Sequence, residues 1–294
     1  MKSPVHVLGG VMLLVVSLSP LLSGQVGPLP PGVGGRGSAA QTPRQMAPVD
    51  LTGTWVSVIT EEWSYRMLAP RKGTDFMGIP MNDAAQKIAL AWDPAADKAA
   101  GLQCKGYGAP GLMRLPGRAR ISWQDDSTLK LDYDTGEQTR LFHFGGRPPA
   151  GIQPSWQGYS VAEWEMIAPP LPFGPGGLGA DGGGPPPGGG PPPGGGPPDP
   201  PPGLFAAPRP SRSLKVVTTG LRPGYLRKNG VPYGEKTVLV EYFDQRTEPN
   251  GDNWFTVVTI VEDPENLGGT YIMSSDFKKE ADGSKWAPTP CSAR

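Results

Sequence analysis

Three strand-like segments joined by very short turns constrain the fold of this chain more than any other feature. The segments GRARISWQ, STLKLDY and QTRLFHF occupy residues 117–124, 127–133 and 138–144. An Asp-Asp pair joins the first two and residues 134–137 join the last two, and turns this short force neighbouring strands to be antiparallel. An antiparallel meander leaves unpaired edges unless it closes on itself, so the pattern favours a β-barrel over an open sheet.

Most of the remaining chain outside its proline- and glycine-rich parts shows similar strand-like character. Further strands are predicted at residues 51–59, 61–67, 157–165, 213–220, 236–245, 253–263 and 270–280. One helix is predicted over DAAQKIALAW, with Asn82 as its N-cap and Asp93-Pro94 at its end. We therefore predict an all-β, antiparallel up-and-down barrel of about 8–10 strands with one short helix.

The N-terminal part of the chain is predicted to lie outside this barrel. A basic start and an apolar run over residues 5–22 are typical of a cleaved secretory signal, assigned to residues 1–24. As a transmembrane anchor the run is short, and Pro20 interrupts it. Residues 25–46 have little to bury and are predicted to be a disordered leader. The protein is therefore expected to be exported, to the periplasm or the extracellular space.

A tract of prolines and glycines at residues 169–210 separates two predicted strands. Such a composition cannot form a core, and the tract could either link two domains or interrupt a single one. The cost of closing a loop grows only logarithmically with its length, so a long loop at the tip of a hairpin is physically tolerable.

A series of short motifs follows a fixed order along the chain. They are DLTGTWV, AWDPAAD, RISWQDDSTLKLDYDTGEQTRLFHF, PSWQGYSVAEWE, LKVVTTGLRPGYLRKNGVPY, VEYFDQ and TIVEDPENL, with Cys104 after the second. The set resembles a family of secreted bacterial proteins of unknown function, usually regarded as β-rich and lipocalin-like. Gly53-Thr54-Trp55 is similar to the G-x-W pattern that opens the first strand of lipocalin-like barrels, where the Trp closes the barrel base.

The resemblance spans residues 50–279 and implies a lipocalin-like fold and export, but no established activity. In the family, the strands on either side of the tract form one hairpin. The resemblance therefore implies that residues 47–294 are a single domain, interrupted by the 169–210 tract as a disordered loop insertion.

Charge and cysteine content bear on partners and compartment. The chain has 27 basic and 27 acidic residues, which gives no electrostatic reason to expect nucleic acid or an anionic membrane as a partner. No stable membrane insertion is expected either. The two cysteines, Cys104 and Cys291, are predicted to form a disulfide in an exported chain, with a metal-binding or catalytic cysteine as the alternative.

Histidine content limits the chemistry. His143 is the only histidine outside the predicted signal, which excludes a zinc site with two or more histidines, and there is no G-x-S-x-G motif. We interpret His143 as a strand residue with one hydrogen bond; haem ligation, a role as general base and a contact in a ligand pocket are the alternatives. No metal and no cofactor are predicted.

Carboxylates on strands are the remaining catalytic candidates. Glu163 and Glu165 are two residues apart and so share a face of their strand, and Glu241 interrupts an apolar strand. Paired carboxylates facing a cavity could do acid–base work, but strand acids are usually solvated or paired with arginine. Whether the protein is an enzyme is left open, and the sequence favours a non-catalytic role.

Basic and aromatic residues are concentrated in GLRPGYLRKNGVPYG. This segment carries Arg222, Tyr225, Arg227 and Tyr233, a combination that suits an anionic ligand because arginine offers a bidentate fork. On the central strands, Arg120 and Arg140 could extend such a site.

Tryptophans on or beside the strands could line a ligand cavity, but most are interpreted as core filling. They are Trp55, Trp63, Trp123, Trp156, Trp164 and Trp254. We predict an exported barrel that binds a small apolar or amphipathic molecule, including an anionic one. The alternatives are a cell-envelope enzyme that uses strand carboxylates and a surface or structural interaction protein.

Overall fold

The computed structural model describes residues 40–60, 66, 72–74, 76, 78–167 and 211–293. The predicted signal peptide, most of the predicted leader and the proline- and glycine-rich tract lie outside the described residues. So does the strand predicted at 61–67, apart from Arg66. In the described part of the chain, no helix is long and apolar enough to cross a membrane.

Eleven strands are described, and nine of them close into a barrel. The bounds of these nine are β1 Gly53–Val58, β2 Arg118–Asp125, β3 Thr128–Tyr133, β4 Gln138–Phe144, β5 Tyr159–Ile167, β6 Ser211–Thr219, β9 Val238–Thr247, β10 Asn253–Glu262 and β11 Tyr271–Lys279. Their spatial order is β1-β11-β10-β9-β6-β5-β4-β3-β2, and β2 pairs with β1 to close the ring. The two remaining strands, β7 (Gly224–Arg227) and β8 (Val231–Tyr233), form a separate hairpin. The prediction of an all-β barrel is confirmed.

One neighbouring pair in the barrel, β4 and β5, is parallel, whereas all the others are antiparallel. A closed ring with an odd number of strands cannot alternate direction all the way round, so one pair has to be parallel. Residues 145–158 supply the long crossover that a parallel pair requires. The predicted up-and-down meander is corrected at this pair.

Short helices fill the connection between β1 and β2. They are α1 (Asp83–Ala91), α2 (Pro94–Ala99), a 3-10 helix (Gln103–Tyr107) and α3 (Ala109–Leu112). As predicted, Asn82 caps α1, and its side chain accepts a hydrogen bond from the Ala85 amide at 2.9 Å. The prediction of a single helix is wrong, because Asp93-Pro94 also starts α2. Asp93 caps that helix, and proline is well suited to a first helical turn, where its missing N–H costs nothing.

The two strands that flank the proline- and glycine-rich tract form one hairpin. β5 and β6 are antiparallel along their whole length, with Tyr159 opposite Thr219 and Ile167 opposite Ser211. The predicted pairing of these strands is confirmed, so the tract connects neighbouring strands of the same barrel.

Large aromatic side chains pack against one another inside the barrel. Trp55 lies 4.8 Å from Phe255, which lies 4.7 Å from Phe277, and Phe142 lies 5.6 Å from Phe243, measured between ring centroids. All five rings are fully buried. The part of the interior that they occupy is therefore a packed core.

One end of the barrel, which we call the capped end, has a second hydrophobic cluster. The β7–β8 hairpin contributes Leu226, Val231 and Tyr233 to it, and the barrel strands contribute Leu239 and Val261. These five side chains are at most 1 % exposed. The helices between β1 and β2 pack against the hairpin, so this end is closed by a hydrophobic layer of its own.

A disulfide ties the C-terminal tail to the capped end. Cys104 in the 3-10 helix is bonded to Cys291, with the two Cα atoms 5.1 Å apart, so the predicted pairing is confirmed. The tail also bonds to the β3–β4 turn, where the Gly136 amide donates to the Thr289 carbonyl at 2.8 Å. Gly136 has a φ of 85°, and a Cβ at this position would collide with the Tyr107 ring, so the turn requires glycine.

Candidate functional site

Arg140 and Glu241 form a buried ion pair inside the barrel. The two Arg140 Nη atoms donate to the two Glu241 carboxylate oxygens at 3.0 and 2.5 Å, and both side chains are 0 % exposed. Arg140 also donates to the Thr218 hydroxyl, which is hydrogen-bonded to Ser160. Buried polar groups need such partners. Each of these two predicted site residues is therefore engaged by the other and shielded from solvent.

The other two catalytic candidates lie on the outer surface of neighbouring strands. The Lys215 ammonium lies 2.9 Å from Glu163 and 3.2 Å from Glu165, and its hydrogen bonds to these carboxylates raise the pKa of Lys215. His143 stacks on Tyr159 with the ring centroids 4.6 Å apart. Burial lowers the pKa of His143, although the charge of Asp125 opposes that shift.

At the capped end, two of the predicted binding residues have local partners. The Arg222 guanidinium lies 4.7 Å from the centroid of the Trp156 ring. Tyr225 donates a hydrogen bond to Asp97 at 2.9 Å and accepts one from Lys105 at 3.4 Å. Burial, followed by the hydrogen bond to Asp97 and the charge of Asp97, raises the pKa of Tyr225.

Of the last three predicted binding residues, two lie at the capped end and one lies on the outer wall of the barrel. Arg227 is 2 % exposed and donates to the Tyr271 hydroxyl, and Tyr233 is part of the cap cluster, where burial raises its pKa. Arg120 lies on the outer wall beneath Trp286, 4.3 Å from the ring centroid. The structure thus distributes the six predicted residues over the interior, the outer wall and the capped end, without bringing them together as one site.

Three aromatic residues do converge, at the end of the barrel opposite the cap. Trp123, Phe144 and Trp164 occupy the inward-facing positions near the ends of β2, β4 and β5. Their ring centroids are 5.5 Å apart for Trp123 and Phe144, 5.2 Å for Phe144 and Trp164, and 6.4 Å for Trp123 and Trp164. Unlike the core rings, all three are only partly buried. We call this cluster the mouth.

A segment from the N-terminal side, Gln41–Val49, lies against the mouth, and we call it the strap. The Trp164 indole N–H donates to the Pro43 carbonyl at 2.9 Å, and the Arg44 amide donates to the Asp126 carbonyl at 3.1 Å. Thr42 and Gln45 form a capping box that fixes the turn between them. Residues 41–46, which belong to the predicted leader, are thus placed in a turn against the barrel, and every strap residue stays exposed or half-buried.

A cleft of about 400 Å³ separates the strap from the barrel rim. The strap side consists of Arg44, Ala47, Pro48 and Val49, and the barrel side of Asp50, Thr52 and Trp123. Aromatic and apolar side chains therefore meet one cation and one anion in the same concave surface. This combination can hold a molecule with an apolar body and a polar group.

The two charged residues of the cleft differ in how strongly they interact with neighbouring residues. The Asp50 carboxylate accepts hydrogen bonds from the Thr52 amide at 2.9 Å and from the Thr52 hydroxyl at 2.6 Å. Partial burial opposes ionisation, but the Thr52 bonds and the Lys279 ammonium outweigh it and lower the pKa of Asp50. The Arg44 guanidinium is 3.9 Å from Asp126, and both side chains are more than half exposed.

A second cleft, of about 460 Å³, lies beside the β10–β11 turn at the capped end. Its polar residues include Lys236, Glu262 and Asp263. The Asp263 carboxylate is engaged locally, because it accepts hydrogen bonds from the Gly234 amide and the Asn266 side chain. The described lining of this cleft contains no aromatic side chain. The mouth is therefore the better candidate for a ligand site.

The comparisons with known proteins add no relative. No family model matches this chain, and no curated protein or solved structure matches it either. The likeness to secreted lipocalin-like proteins therefore stays an expectation from the sequence motifs. The candidate site rests on the geometry of the mouth alone.

Proposed function

We propose that this protein is an exported protein that binds a small amphipathic molecule at the mouth. The observation that carries the proposal is the convergence of three partly buried aromatic rings beside a cleft of about 400 Å³. Ligand sites in proteins commonly combine aromatic walls with a few polar groups, and this volume is within their usual range. The sequence motifs and the apolar N-terminal run support the export part of the proposal.

We place the ligand at the rim because side chains already fill the described interior of the barrel. Packed aromatic rings and the Arg140–Glu241 pair occupy the described interior, so an apolar guest there would have to displace core side chains. At the mouth, by contrast, the rings already have uncovered surface. Each Å² of it that a ligand covers would contribute about 25 cal/mol, before the cost of ordering the ligand.

The test uses the neutral dye N-phenyl-1-naphthylamine, whose emission rises on transfer from water to an apolar site. Titrated into the full chain, the dye is expected to bind, and Trp123→Leu should weaken binding about tenfold because it removes the ring that lines the cleft. Trp286→Leu is the matched control, because Trp286 is also half-buried but lies on the outer wall. Equal loss of dye binding in both variants, or no dye binding to the unmodified chain, would rule out the mouth as the site.

A further inference from the structure

Arg44 is the cation of the cleft, and its charge is not neutralised by the other residues that line the cleft. The cleft lining contains no other cation among the described residues, and its anion, Asp50, is engaged by Thr52. The contact between Arg44 and Asp126 is 3.9 Å long, beyond hydrogen-bonding distance. An ion pair between two such exposed side chains contributes little. The guanidinium can therefore exchange Asp126 for a ligand anion at small cost.

The backbone on either side of the Arg44 side chain is held against the barrel. The Pro43 carbonyl accepts from Trp164, and the Arg44 amide donates to Asp126. These two hydrogen bonds join the strap to β5 on one side and to the β2–β3 turn on the other. The strap thus holds the base of the Arg44 side chain at the cleft, while more than half of that side chain remains exposed.

We propose that the ligand carries one anionic group, such as a carboxylate, sulfonate or phosphate, and that Arg44 binds it while the apolar part lies on Trp123. The proposal rests on the proposed function, because it names the chemistry of the molecule taken at the mouth. The planar guanidinium can offer two parallel N–H donors to any of these anions. Trp164 is a positioning residue in this arrangement, since it acts on the anion through the strap.

A pair of dyes that differ only in one sulfonate group tests this proposal on the full chain. The anionic dye 8-anilinonaphthalene-1-sulfonate has the same ring system as N-phenyl-1-naphthylamine with a sulfonate added. The chain is expected to bind the sulfonate dye more tightly. Arg44→Gln should lower the affinity for the sulfonate dye about fivefold, the upper range for a partly exposed ion pair, and leave the neutral dye unchanged. Arg222→Gln, which also removes an arginine that lies beside a Trp, should affect neither dye.

The role of Trp164 is tested by removing its hydrogen-bond donor while keeping an aromatic ring. Trp164→Phe is expected to reduce the preference for the sulfonate dye about twofold, because the strap loses the bond at Pro43, while the neutral dye still binds. Raising the salt concentration should reduce the same preference in the unmodified chain, because exposed charges are screened. The measured quantity is the preference for the sulfonate dye over the neutral dye, which separates a positioning role of Trp164 from a loss of packing.

The outcomes distinguish the inference from the proposed function. Equal affinity of the unmodified chain for the two dyes, or an Arg44→Gln variant that keeps its preference for the sulfonate dye, would overturn the inference and leave binding at the mouth intact. Failure of both dyes to bind would overturn both. Competition by dodecanoate, dodecanesulfonate and dodecyl phosphate, with dodecanol as the uncharged control, then ranks the anionic groups. Displacement by dodecanol as effective as by the three anions would also contradict a role for the charge.

Discussion

The two ends of the barrel are closed in different ways. At the capped end, side chains such as Leu226 and Val231 are almost completely buried in their own cluster, and a disulfide holds the C-terminal tail in place. At the mouth, the strap lies against the barrel rim through two hydrogen bonds and side chains that are exposed or half-buried. The capped end therefore contributes to stability, whereas the mouth leaves apolar surface and a cation available to a ligand.

The difference indicates which end of the barrel can change its conformation without unfolding the protein. Opening the capped end would expose a hydrophobic cluster and stretch a covalent bond, which is costly. Moving the strap would break few contacts, and Leu51, which is 2 % exposed and accepts a hydrogen bond from the Trp55 indole, marks the point where the chain enters the core. Substitutions at the two ends should therefore separate stability from binding.

The largest effect is expected from removing the disulfide with Cys104→Ser and Cys291→Ser together. The two cysteines are 187 residues apart, and restricting so long a loop contributes up to about 5 kcal/mol to the free energy of unfolding in the chain-entropy model. Urea unfolding of the double variant should show a loss of about 4 kcal/mol, with dye affinity at the mouth unchanged in the folded protein. A double variant that keeps its stability but loses dye binding would contradict the assignment of stability to the capped end and of binding to the mouth.

The buried ion pair next to the capped end is expected to give the second largest effect. Glu241→Gln leaves the Arg140 charge buried without a carboxylate and should lower the free energy of unfolding by about 3–4 kcal/mol. Glu163→Gln is the control, because its pair with Lys215 is exposed and should contribute less than about 1 kcal/mol. Equal stability of the two variants in urea would show that Glu241 is not held as the structure places it.

A matched pair of truncations compares the ends directly and has the smallest expected effects. Leu226→Ala in the cap cluster should cost about 3 kcal/mol, because a fully buried side chain is replaced by a cavity. Val49→Ala in the strap should cost below about 1 kcal/mol, because Val49 is only half-buried, but it should weaken dye binding. If thermal unfolding shows equal losses, the strap is as firmly packed as the cap.

Local patterns in the sequence account for much of the fold. The alternation over residues 117–144 predicts β2, β3 and β4 and their antiparallel pairing, because short turns leave no other arrangement. Asn82 predicts the start of α1 for an equally local reason, since its side chain caps the first turn. The even number of cysteines, in a chain that the sequence predicts to be exported, predicts the disulfide.

Features that depend on ring closure and on distant residues could not be predicted in the same way. The parallel pairing of β4 with β5 follows from an odd number of strands, which is known only when the barrel is complete. Arg140 and Glu241 are 101 positions apart, so no local pattern marks them as partners. The mouth combines the ends of three strands with a polar strap, and Trp123 and Trp164 resemble core residues until their places along the barrel are known.

The indole N–H resonances of the eight tryptophans provide the most direct test of binding at the mouth. In a ¹H–¹⁵N spectrum of the full chain, addition of 8-anilinonaphthalene-1-sulfonate is expected to shift the Trp123 and Trp164 signals and to leave Trp55 and Trp286 in place. Trp55 reports on the packed core, and Trp286 reports on the outer wall. A shift of Trp55 or Trp286 without a shift of Trp123 and Trp164 would contradict the account.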